Sequence, residues 1–205
     1  MQPRRIAREL ALLSIGQLPS NSDQLANKDL QAVMITAVRT LVAEVQDALE
    51  TASAELRRGS DRLLDSELKA IDVQSSRAMV TEAIDLTKTA VNRLGLALDF
   101  PEFIQLANQQ SVRDYTLDLI AAVHRHRRDI DQVLEKSLVD WQLHRLAHID
   151  ANLLRLAVAE MMYLEIPNQV AINESIELAK KYSAEDGHRF INGVLRRVTR
   201  QIALP

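Results

Sequence analysis

Apolar residues recur along this chain at steps of three and four, the period of helices that each bury one face. Residues 3–18 open the series, with Pro3 suited to a first helical turn and Gly16 and Pro19 near its end. A second stripe, Leu30, Met34, Ala37, Leu41, Val45, Ala48, Ala52 and Leu56, predicts a helix over 24–57, and "RRGSD" at 57–61 reads as its break. A third stripe, Val80, Ile84, Thr87, Val91, Leu94 and Leu98, steps by four and three alternately and forms a heptad-like seam. Two such helices fold back on each other as a hairpin, or offer the seam to a partner helix.

"DFPEF" at 99–103 interrupts the pattern and marks a module boundary. Beyond it the periodicity predicts helices at 111–126, 128–141, 150–164, 168–182 and 185–202, joined by the short loops of a compact bundle. Ser183 followed three residues later by Asp186 is a variant capping box. Trp141, Leu143 and Leu146 are expected to anchor the junction between bundles, because the one Trp sits in tight apolar spacing.

Composition turns this into an all-α assignment. The 205 residues include five Gly, five Pro and 3% aromatics, too little turn and sheet material for a β fold. The chain is long enough for one sizeable domain, or one with a large insertion. With no cysteine there are no disulfides, thiolate nucleophiles or cysteine-ligated metals, which fits a reducing compartment. No apolar run reaches the roughly 18 residues that span a bilayer, and the segment after Arg4, Arg5 and Arg8 is too short for a signal peptide. A cytoplasmic protein without a membrane partner is expected.

The net charge of −3 hides basic ends around an acid-rich stretch from 20 to 100. On the last helix Ile191, Val194, Leu195, Val198 and Ile202 share the arc that must face a core. Arg189, Arg196 and Arg200 fall within about 40° of one another on the other side, with Phe190 at the margin. Guanidinium groups beside a ring edge suit phosphate neutralisation plus base stacking, and equally make an ordinary solvated face. Arg4, Arg5 and Arg8 repeat the theme on the first helix.

Other chemistry is thin. His144 and His148 have the i, i+4 spacing of a metal pair, but no third ligand is evident. The sequence holds no phosphate-binding glycine loop, no nucleophile elbow and no paired carboxylates with a plausible pocket, so an enzyme and a cofactor are not expected.

"WQLHRLAHIDANLLRLAVAEMMYLEIP" (141–167) followed by "QVAINESIELAKKYSAEDGHRFINGVL" (169–195) resembles the NusB family of transcription antitermination factors. The likeness extends more weakly through 115–138 and to "RRIARELAL" in the first helix. It implies two packed small helical bundles: residues 1–20 as the first helix, 21–107 as a long acidic helical expansion and probable hairpin, and 108–205 as the main bundle. It also implies binding of single-stranded boxA RNA of ribosomal RNA leaders, together with ribosomal protein NusE, in a transcription elongation complex. By that likeness Arg4, Arg5, Arg8, Asp186, Arg189 and Phe190 contact RNA, and Asp150 faces the protein partner.

Three departures stand out: Ile15-Gly16 replaces an aromatic near the first helix end, Arg189 a Lys with Gly187 a Ser, and residues 21–107 are much longer than the family's usual counterpart. No methyltransferase domain follows, so a free-standing factor is expected, with a homodimer left open. The competing reading is a non-catalytic helical adaptor that binds protein through its long helices. A weaker third is a metal enzyme built on His144 and His148.

Overall fold

Every regular element among the described residues is helical. The computed structural model describes residues 3–17, 27–98 and 100–202. In order these form α1 (Pro3–Ile15), α2 (Asn27–Leu68), α3 (Val73–Leu98), α4 (Phe100–Ala107), α5 (Gln110–Arg125), α6 (Arg127–Ser137), a 3-10 turn (Leu143–Arg145), α7 (His148–Tyr163), α8 (Asn168–Tyr182) and α9 (Gly187–Ile202). The predicted end of the first helix at 18 and start of the second at 24, with Asp99 of "DFPEF", lie outside the described residues.

The chain divides into two compact units, Met1–Ala37 with Gln105–Pro205, and Val38–Ile104. The division thus falls inside α2 and α4, where the sequence reading drew it at 20/21 and 107/108.

The larger unit is built around α7, in which every residue from Ala151 to Glu160 is buried. A helix covered on all sides needs partners on all sides. α1, α5, α6, α8 and α9 supply them. Leu12 of α1, Leu119 and Ile120 of α5, Leu134 of α6 and Ile191 and Leu195 of α9 close on Leu153 and Leu154. Truncating one of these to Ala costs about 2–5 kcal/mol.

The smaller unit pairs α2 and α3 as a hairpin, tied by Arg93 to Glu55 (3.3 Å), Arg62 to Glu82 (3.0 Å) and the Ser76 hydroxyl to the Ser66 carbonyl. At its turn Asp72 accepts from the Ser75 backbone N–H (2.7 Å), while the Ser75 hydroxyl accepts from the Asp72 N–H. That reciprocal cap starts α3 and draws the Asp72 carboxyl below its ordinary pKa.

Several sequence expectations are corrected. α2 runs through "RRGSD", because Gly59 serves a close helix crossing and not a stop: a Cβ there would lie 3.3 Å from the Ala83 carbonyl oxygen. The hairpin seam runs over Ala52, Ala83 and Ala90, all buried, whereas the predicted Ile84, Val91 and Leu98 are exposed. Small residues let the backbones approach, and that turned the larger stripe outward. α6 ends at Ser137, not 141, since Leu138 is extended and Asp140 is left-handed (φ 61°), a conformation Asp tolerates. Trp141 is consequently 57% exposed and anchors no core, while Leu143 is buried as expected.

Candidate nucleic-acid interface

The start of α9 gathers three of the six predicted RNA-contact residues. Asp186 precedes its first turn and its carbonyl accepts from the Arg189 and Phe190 backbone N–H groups. Arg189 stands largely in solvent, paired among the described residues with the Asp186 carboxylate at 3.1 Å. An exposed pair of this kind contributes little and exchanges readily for another anion. Phe190 is half-buried, and its ring meets Trp141 edge to face at 6.2 Å between centroids. The left-handed turn at Asp140 thus delivers the indole to the rim of the basic helix. The sequence expectation places that ring in the core; the one local mark against it is Asp140 just before it, a residue that tolerates the left-handed conformation.

Ser183 does not close a capping box. Its hydroxyl donates to Asp150 at 2.5 Å, in the first turn of α7. This explains Gly187: a Cβ there would fall 1.8 Å from the Ser183 oxygen and 3.8 Å from the Asp150 carboxylate. The glycine is required for space rather than for φ, and the half-exposed Asp150 is held in place by a neighbour on α8's end.

α1 is different. Arg8 is buried, and its single Nε–H is shared between the two carboxylate oxygens of Glu160, at 2.8 and 3.0 Å. Burial is the largest influence on Arg8 and disfavours its charge, but Glu160 outweighs it, so the pKa is raised. Tyr115 also donates to Glu160. Burial first, and then Glu160, push the Tyr115 hydroxyl up from its ordinary value. Arg5 pairs with Glu174 through two bonds of 3.0 Å and stays 41% exposed. Arg4 is exposed, its guanidinium 5.5 Å from the Tyr115 ring centre. Glu9 is buried and taken by Lys181 and Tyr182.

Among the described residues no hydrogen bond or ion pair joins the α1 arginines to those of α9. α8 separates them, meeting α1 through Glu174 and Lys181. On α9, Arg197 is also occupied, capping the α6 end by donating to the Ser137 carbonyl at 2.7 Å. The metal alternative loses its geometry: His144 lies in the 3-10 turn and His148 starts α7, so the two share no helix. Among the described residues no group of three His, Asp or Glu could hold a metal, and no helix is long and apolar enough to cross a membrane.

These features define a class: an all-helical protein with a buried central helix and a basic, aromatic rim at the start of its last helix. The NusB family profile matches residues 74–200. Transcription antitermination protein NusB of Acaryochloris marina (strain MBIC 11017) is 92% identical over 205 residues, covering all of both chains. The protein of the same name from Cyanothece sp. (strain PCC 7425 / ATCC 29141) is 70% identical over 197 residues, 96% of this chain and 94% of that one. This chain belongs to the NusB family. In fold it is similar to a chain in the crystal structure of a plectonemic RNA supercoil, with a TM-score of 0.52, 20% identity and full coverage of both chains. The matches to both relatives span the α2–α3 region.

Proposed function

We propose that this chain acts as an RNA-binding transcription antitermination factor. In this reading it binds single-stranded boxA of ribosomal RNA leaders together with ribosomal protein NusE and keeps RNA polymerase processive. The observation that carries it is the exposed Trp141 ring set edge to face on the half-buried Phe190, which follows Arg189 in the chain. A flat ring available to a base, near a guanidinium tied among the described residues by an exchangeable surface pair, supplies the stacking and charge that hold single strands. Arg4 and the exposed part of Arg5 extend the basic surface on the α1 side, and Asp150 is assigned to the protein partner. Arg8 supports this surface from inside by fixing α1 on α7.

The adaptor reading is favoured by one observation, the exposed apolar face of the hairpin at Ile84, Val91 and Leu98. A titration with boxA-like single-stranded RNA, with and without NusE and across salt concentrations, separates the two. RNA binding should weaken by about 0.7 log unit per neutralised phosphate for each log unit of salt. Absence of RNA binding with NusE present would leave the adaptor as the function.

A further inference from the structure

Residues 168–200 form a second concave surface that the rim does not use. We infer that the groove between α8 and α9 is a nucleotide subsite, seating one unpaired RNA base and its phosphate; this rests on the RNA-binding reading above. The groove is open to solvent and offers about 470 Å³, a volume comparable with sites that hold small ligands. Its floor is apolar, made by Ile172 and Ile176. Gln169 and Asn173 rise from α8, and Asn192, Arg196 and Arg200 from α9.

Among the described residues no carboxylate lines it. The nearest acids along α8 are spoken for, Glu174 by Arg5 and Arg8 and Glu177 by Lys180. The two guanidiniums therefore face the groove without a competing anion.

The amides are oriented in a useful way. Asn173 Oδ1 accepts from Gln169 Nε2 at 3.0 Å, which leaves the Asn173 amino group to donate and the Gln169 carbonyl to accept. A donor next to an acceptor matches the edge of a base. Asn192 Oδ1 accepts from Arg196 Nε at 3.1 Å, which leaves the terminal nitrogens of Arg196 to other acceptors. Asn is a poor residue for a helix interior, and neither Asn173 nor Asn192 caps a helix. Packing does not explain Asn173 either, since it is exposed. A ligand explains both asparagines: the isoleucine floor takes the face of the base, the amides its edge, and Arg196 and Arg200 its phosphate. Arg196 lies seven residues beyond Arg189 on the same side of α9, about 10 Å along the axis, so one strand can leave the rim and enter the groove.

The test uses the full chain and a boxA-like single-stranded RNA in which each base in turn is replaced by an abasic site. Asn173→Ala and Asn192→Ala should each weaken the intact RNA about three- to ten-fold, with a loss that persists at high salt. Arg196→Ala should lower the salt slope by about 0.7. At one RNA position, removal of the base should cost the native chain the same factor and the Asn173→Ala variant nothing more. The inference is overturned, with the function intact, if Arg189→Ala weakens RNA while both asparagine variants bind normally or no position couples to them. A loss confined to NusE binding would give the groove to protein and also overturn it. If the native chain binds no RNA at all, both readings fall together.

Discussion

The arginines of α1 and those of α9 look alike in the sequence and are used in opposite ways. Arg8 is buried against Glu160, and Arg5 is half-spent on Glu174. Arg189 stands free except for a surface partner, and Arg196 and Arg200 are exposed. A helical wheel says which side chains share a face; it does not say whether that face meets water or another helix's carboxylates. Glu160 and Glu174 lie more than 150 residues away in sequence, so nothing local to α1 reveals them. A basic cluster remains available to an outside anion only where the fold brings no buried acid to it.

The largest effect that sharpens this contrast is Arg8→Ala. It leaves Glu160, 1% exposed, as a buried charge without its cation, which should cost about 3–5 kcal/mol of stability. Measured below the lowered melting temperature, RNA affinity should be unchanged. An RNA defect in fully folded Arg8→Ala protein would break the distinction between the two clusters.

At the rim, Trp141→Ala should do the reverse. The ring is 57% exposed, so the melting temperature should barely move, while loss of a stacking face should cost about 1–3 kcal/mol of RNA affinity. Phe190→Leu should lose affinity in the same range, with a modest drop in melting temperature because the ring is half-buried. A large fall in melting temperature for Trp141→Ala, with RNA binding intact, would return the indole to the core.

Much of this was legible in the sequence. The spacing of Leu and Ile over 150–202 places α7, α8 and α9 within a few residues, because their apolar faces are broad and Pro167 punctuates them. Asp186, Arg189 and Phe190 come together at the start of one helix because they are neighbours in sequence. What failed depends on partners. Ala83 and Ala90 became a seam only because Gly59 allows close approach, and residue size misled the heptad reading. Trp141 was misplaced because a large aromatic usually means core, and the left-handed Asp140 that turns it outward leaves a weak mark. The role of Gly187 required knowing that Ser183 reaches Asp150.

pH gives a smaller handle on the α1 side. Tyr115 has its hydroxyl pKa raised above its ordinary value of about 10 by burial and by Glu160. A raised folded-state pKa means the neutral phenol is favoured in the fold. The stability it contributes is therefore present below about pH 10 and lost as pH rises beyond it. Tyr115→Phe should flatten that alkaline decline in melting temperature and leave RNA affinity at neutral pH unaltered. If the decline persists in the variant, Tyr115 is not its source.

The smallest effect expected concerns Arg5, the residue between the two extremes. Glu174→Gln keeps an oxygen to accept one hydrogen bond from Arg5 but removes the charge that balances it. Arg5 is 41% exposed, so its guanidinium then presents a full, unneutralised charge at the α1 edge. The structural cost should be small, because Arg8 meets Glu174 only at 3.8 Å and keeps Glu160. If a phosphate passes near α1, RNA affinity at low salt should rise about two- to five-fold and the salt slope should steepen by no more than about 0.7. If α1 serves only to hold the bundle, neither quantity changes. That null result would confine the RNA surface to the α9 side and remove Arg4 and Arg5 from it. A gain in affinity would instead show that α8, with its exposed amides, lies beneath a strand running from one arginine cluster to the other.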